Sequence, residues 1–115
     1  VLNEAMNSGC AVVASHAIGS VPFLIRDGEN GLIYKNGDET GLFNRVVGLI
    51  DHPEKRERMG RMAYQALADQ WNAETAASRF LQLCQAIQDG RPLDLFEEGP
   101  CSSAAILRNG WYHNS

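Results

Sequence analysis

The order of residues 1–15, Val-Leu-Asn-Glu-Ala-Met-Asn-Ser-Gly-Cys-Ala-Val-Val-Ala-Ser, constrains this chain more than any other segment. Leu2, Ala5 and Met6 give a helix an inward face to about Ser8, and Gly9 supplies the left-handed residue that ends it. Cys10 to Ala14 is a short, almost wholly apolar, β-branched run, as expected of a parallel strand covered on both faces. Helix, glycine stop and buried strand is the order of an α/β layer. It places Glu4, on the first turn, beside the crevice at the carboxyl ends of the strands, where nucleotides bind. No capping residue precedes Val1. The chain is therefore expected to be the C-terminal piece of a larger protein, with half of its site elsewhere.

The rest continues the alternation. Ser15 to Ser20 is a small-residue loop, and Val21 to Ile25 a brief helical turn opened by Pro22. Arg26 to Gly31 is a turn cluster with Gly28 and Gly31 available for positive φ. Leu32, Ile33 and Tyr34 form a second short strand closed by Asn36-Gly37. Asp38 caps a helix whose Leu42, Phe43, Val46, Val47, Leu49 and Ile50 recur at helical spacing. Pro53 opens the next, with Met59, Met62, Ala63, Ala66 and Leu67 as its apolar face. Trp71 anchors the junction to a last long helix, capped by Asn72 and ended by Gly90, with Ala76, Ala77, Phe80, Leu81, Cys84 and Ile87 facing inward. From Arg91 the periodicity fades. Residues 91–115 read as an irregular, flexible tail with a short helix conceivable near Ser102 to Arg108. Two short strands between helices leave the sheet incomplete, and further strands upstream are needed to finish it.

Bulk properties exclude some classes. The 115 residues suffice for one domain, and 44% hydrophobic with 21% charged residues is ordinary for a globular chain. A formal net charge of −4 argues against a nucleic-acid partner. No apolar run approaches the roughly 20 residues of a membrane span. Cys10, Cys84 and Cys101 are odd in number and widely spaced, which suits a reducing, cytoplasmic setting. His52 and His113 have no companion ligands nearby in sequence, so no metal site is expected.

Taken in order, Glu4-Ala5-Met6, Gly9-Cys10-Ala11-Val12-Val13-Ala14-Ser15, Asp27-Gly28-Glu29-Asn30-Gly31-Leu32-Ile33 and Gly37-Asp38 resemble the C-terminal domain of retaining GT-B glycosyltransferases of family 4, often called group 1. The resemblance runs from residue 1 to about 88 and implies a domain over 1–90, its start truncated. The implied fold is a partial Rossmann-like α/β domain, with short parallel strands packed by several helices. The implied activity is transfer of a sugar from a nucleotide diphosphate to an acceptor with retention of configuration.

Family members carry a Glu-x7-Glu signature. Glu4 matches its second glutamate, which accepts hydrogen bonds from the ribose hydroxyls of the donor. The first, which holds the donor sugar, would fall ahead of Val1, so no catalytic residue is assigned within this chain. Val1 and Leu2 match the start of the helix whose backbone N–H groups lie close to the diphosphate. His16 and Gly19 lie in the loop that would face nucleotide or sugar. The resemblance further implies a UDP- or GDP-sugar as donor substrate, no metal or other cofactor, and a carbohydrate or glycolipid acceptor. It also implies an N-terminal GT-B domain as partner, and a cytoplasmic protein that can associate with the inner face of a membrane. The isolated 115 residues are expected not to transfer sugar.

The chemistry of Glu4 agrees with that role. A ribose presents two neighbouring hydroxyls, and an ionised carboxylate accepts both; each such charge-assisted bond is worth roughly 1.5–3 kcal/mol. The sequence also departs from the family. Many members have Gly-Gly-x-Pro-Glu where this chain reads Ala17-Ile18-Gly19-Ser20-Val21-Pro22-Phe23, so no polar role is expected at Phe23. Plainer readings stay open. Glu4 can be a solvated helix carboxylate, His16 an ordinary loop histidine, Cys10 a buried strand residue and Cys84 a helix-core residue. Trp111 and Tyr112 can pack on the absent N-terminal domain or be disordered. A GT-B epimerase or phosphorylase, and a non-catalytic interaction module or degenerate transferase, are the rival functions.

Overall fold

The computed structural model describes residues 1–113; residues 114–115 and the side chain of His113, on which one of the metal-ligand expectations falls, lie outside the described residues. The elements follow in the order α1 (Leu2–Asn7), β1 (Val13–Ser15), α2 (Val21–Leu24), β2 (Leu32–Tyr34), α3 (Glu39–Asp51), α4 (Pro53–Asp69) and α5 (Ala73–Gln88), with a terminal 3₁₀ turn at Trp111–His113. The two strands pair in parallel, Val13 with Leu32, Ala14 with Ile33 and Ser15 with Tyr34. This is the α/β layer that the residue pattern implies.

Gly9 ends α1 as expected. At φ +75° it lets its own N–H reach the Met6 carbonyl at 3.0 Å and the Cys10 N–H reach Ala5 at 3.1 Å, the paired bonds of a Schellman stop. Helix α4 then crosses this turn so closely that a Cβ at Gly60 would run into the Gly9 carbonyl oxygen. Cys10 is exposed and lies before the strand rather than inside it, correcting its expected place in the core. β1 begins three residues later, because β2 offers its first bond, from the Leu32 N–H to the Val12 carbonyl, only there (2.9 Å).

The 27–31 turn is wired by its own side chains. Asp27 Oδ1 accepts the Ile33 N–H at 2.8 Å. Asn30, 6% exposed, accepts the Arg26 N–H at 2.7 Å through Oδ1 and donates Nδ2 to the Leu24 carbonyl at 3.0 Å. Gly28 takes a positive φ of +85°, as expected, but Gly31 does not. Gly31 is needed for space instead: a Cβ there would sit 3.0 Å from both Ile25 Cδ1 and Val12 Cγ2.

The core gathers Met6, Val12, Ala14, Val21, Leu24, Ile25, Ile33, Ala63 and Leu67, with Met59 also buried on α4. The expected caps form: Asp38 accepts the Gly41 N–H at 2.9 Å and Asn72 the Thr75 N–H at 2.8 Å. Trp71 packs half-buried at the α4–α5 junction. The inward faces of α3 and α5 are less complete than their periodicity suggests. Of the α3 apolar set only Leu49 is buried, and Phe43 and Ile50 are exposed. No residue of α5 is buried; Phe80, Leu81 and Ile87 are all more than half exposed and Cys84 is half-buried.

The side of α5 that is used faces the following segment. Arg79 donates to the carbonyls of Glu98 (2.6 Å) and Pro100 (3.1 Å) and lies 4.0 Å from the centre of the Phe96 ring. Arg26 pairs with the Glu98 carboxylate. No helix forms at 102–108, and Trp111 and Tyr112 pack on this chain's own core, which Leu2 and Ala5 also cover. That packing replaces the expectation that they rest on another domain or lie disordered.

Candidate functional site

Parallel strands end together, so whatever follows each one is brought to a common edge. Here that edge carries Ser15 at the end of β1, His16 and Ala17 after it, and Lys35 and Asn36 after β2. The pairing is extended by the His16 N–H, which donates to the Tyr34 carbonyl at 2.9 Å. Buried Ser15 donates through Oγ to Asn36 Oδ1 at 3.2 Å and accepts the Ala17 N–H at 3.1 Å. The Asn36 backbone N–H donates to His16 Nδ1 at 2.9 Å. That bond needs the Nδ1 lone pair, so in the neutral ring the proton resides on Nε2, which becomes a donor.

Tyr112 lies against the same imidazole, with ring centres 4.3 Å apart and planes inclined by 31°. Neither Asn36 nor Tyr112 is marked as a site residue by the sequence. Asn36 reads as half of an Asn-Gly turn, and Tyr112 belongs to a segment without periodicity.

Glu4 stands on the outer side of α1, exposed, its Oε1 3.9 Å from the Val1 amino group. Val1 occupies the N-cap and is exposed, whereas the Leu2 side chain packs on the core, leaving only its backbone for a polar role. Gly19 is exposed with open space around its Cα. Phe23 is 49% exposed on α2, and it lines a cleft of about 540 Å³ with Arg26, Asp69, Arg79 and Glu98. None of Glu4, His16 or Gly19 lines that cleft. Among the described residues, no three His, Cys, Asp or Glu side chains converge as metal ligands, and no helix is long and apolar enough to cross a membrane.

Comparison with known proteins bears on the fold and family. Residues 1–66, which hold α1, both strands and most of α4, match the family model described as glycosyl transferases group 1. The chain is 29% identical over 80 residues to the N-acetyl-alpha-D-glucosaminyl L-malate synthase of Bacillus anthracis, covering 70% of this chain and 21% of that protein. It is 30% identical over 83 residues to a lipopolysaccharide core biosynthesis glycosyltransferase of Rhizobium meliloti, covering 72% of this chain and 24% of the relative. To the sulfoquinovosyl transferase of Arabidopsis thaliana it is 32% identical over 104 residues, 87% of this chain and 20% of that one. The aligned part is thus about a fifth to a quarter of each relative. A parallel α/β layer and a match across more than half of the chain lead to one assignment: this chain belongs to the group 1 glycosyl transferases, of which it forms a partial Rossmann-like GT-B domain.

Proposed function

We propose that this chain is the donor-binding part of a retaining glycosyltransferase. The observation that carries the reading is the position of Glu4, an exposed carboxylate on the helix that leads into β1, within a segment matching the family. Glu4 accepts hydrogen bonds from the ribose hydroxyls of a UDP- or GDP-sugar. The backbone at Val1 and Leu2 lies near the diphosphate, and the His16–Gly19 loop borders the sugar or phosphate.

During transfer the bond from the anomeric carbon to the diphosphate breaks, and negative charge grows on the departing oxygen. Fixed N–H dipoles aimed at that oxygen lower the barrier because they are already oriented when the charge develops. In this reading no metal or other cofactor is required, and the sugar passes to a carbohydrate or glycolipid acceptor held mainly by a second, N-terminal domain. The names of the relatives, a lipopolysaccharide core enzyme and a sulfoquinovosyl transferase among them, favour such acceptors. The reaction would then take place in the cytoplasm, with the parent protein reaching a lipid-linked acceptor at the inner face of the membrane.

Calorimetric titration of UDP and GDP into the full-length protein, with and without Glu4→Ala, tests the reading. Saturable binding weakened by about tenfold or more, equivalent to about 1.4 kcal/mol, is expected of the variant. Binding of neither nucleotide by the folded parent would sink the donor-site reading and leave a non-catalytic module in its place.

A further inference from the structure

A histidine at a strand-end crevice directs a hydrogen bond usefully only if both its proton and its ring plane are fixed. The structure supplies both constraints, from two segments far apart in the chain. Asn36, after β2, donates its backbone N–H to Nδ1 and leaves the proton of the neutral ring on Nε2. Asn36 is itself held through its side chain by Ser15. A single bond to Nδ1 still allows the ring to rock about that atom. Tyr112 removes this freedom by covering one face of the imidazole at 4.3 Å.

Tyr112 is well placed to be rigid. The Trp111 ring meets it edge-on at 5.9 Å and 88°. Both aromatics pack on the core that also receives Leu2 and Ala5 of α1, and the Trp111 N–H is satisfied by the Arg108 carbonyl at 3.1 Å. The stack is therefore anchored in the same layer as the helix that presents Glu4.

We propose that Tyr112 is a positioning residue of the donor site, clamping His16 so that its Nε2–H points as a fixed donor toward a phosphate oxygen of a nucleoside diphosphate. The ligand class rests on the donor-site reading above; the clamp rests on the ring geometry alone. The C-terminal segment is then part of the binding site, and docking of residues 111–112 and nucleotide binding favour each other.

Two measurements on the full-length protein test this. Nitrogen-15 imidazole spectra, with the His16 signals assigned by their loss in His16→Gln, report the tautomer. UDP calorimetry reports the affinity. The parent and Tyr112→Phe, which keeps the ring over His16, are expected to show one Nε2–H tautomer, with Tyr112→Phe binding UDP more tightly than Tyr112→Ala. Tyr112→Ala is expected to keep that tautomer, which Asn36 sets, but to shift and broaden the His16 signals as the uncovered ring rocks, and to bind UDP more weakly by roughly two- to tenfold, the scale of one aromatic pair. In a His16→Gln background the same substitution should add nothing, since its effect passes through His16.

An unchanged His16 spectrum in Tyr112→Ala, or an equal loss of affinity in the His16→Gln background, would overturn the proposal. Absence of UDP and GDP binding by the parent overturns the donor-site reading itself, and the His16 spectrum tells that failure apart from failure of the clamp.

Discussion

Helix α4 approaches the α1–β1 turn at Gly60, and this contact makes a signed prediction. A Cβ built there meets the Gly9 carbonyl oxygen, with the carbonyl carbon at 3.2 Å and the Ala11 nitrogen at 3.4 Å. These are backbone atoms of a Schellman turn, so no side chain can rotate away to make room. Inserting a methyl into a packed contact costs about 1–3 kcal/mol, and a backbone obstacle puts Gly60→Ala near the upper end. Alanine's better helix propensity returns about 1 kcal/mol, leaving a net loss of about 2 kcal/mol. Gly48, on α3, meets nothing within 4 Å. There the propensity term acts alone, and Gly48→Ala should stabilise by up to about 1 kcal/mol. Urea unfolding followed by circular dichroism should therefore separate the variants by about 3 kcal/mol, the sum of those two effects, with similar m values. A Gly60→Ala midpoint at or above that of the parent would show that α4 does not depend on this close approach, and the reasoning would fail.

Two other expectations concern buried polarity and the C-terminal segment. Asn30→Ala strips the Arg26 N–H and the Leu24 carbonyl of their partners and should cost about 1–3 kcal/mol; Asn30→Asp should be no better, because it faces that carbonyl with an acceptor. A thermal melt in which the aspartate variant matches the parent would contradict the assigned amide orientation. Arg79→Ala removes two carbonyl hydrogen bonds and the Phe96 contact. Limited proteolysis should then cut between 91 and 102 faster, while the urea midpoint barely moves, since α5 buries no side chain; unchanged cleavage would deny Arg79 its anchoring role.

What the sequence by itself determined is what depends on near neighbours. Gly9 stops α1, while Asp38 and Asn72 cap α3 and α5 through N–H groups three residues ahead. Met59, Ala63 and Leu67 share one face of α4 because helical spacing puts them there. The motif series that contains Glu4 makes the family legible, and the family match covers that same stretch. The tertiary structure decided everything that needs a partner brought from afar. Cys10 lies outside the strand because β2 begins its pairing later, at Val12 and Val13. Gly31 serves space rather than φ because Ile25 and Val12 close over it. The apolar stripe of α5 has the right period, yet period says nothing about what stands opposite, and Phe80, Leu81 and Ile87 remain exposed. His16 gains its fixed proton from Asn36 and its fixed plane from Tyr112. No local pattern encodes either contact, because a hydrogen bond or ring stack between distant segments exists only once the core has set the distance between them.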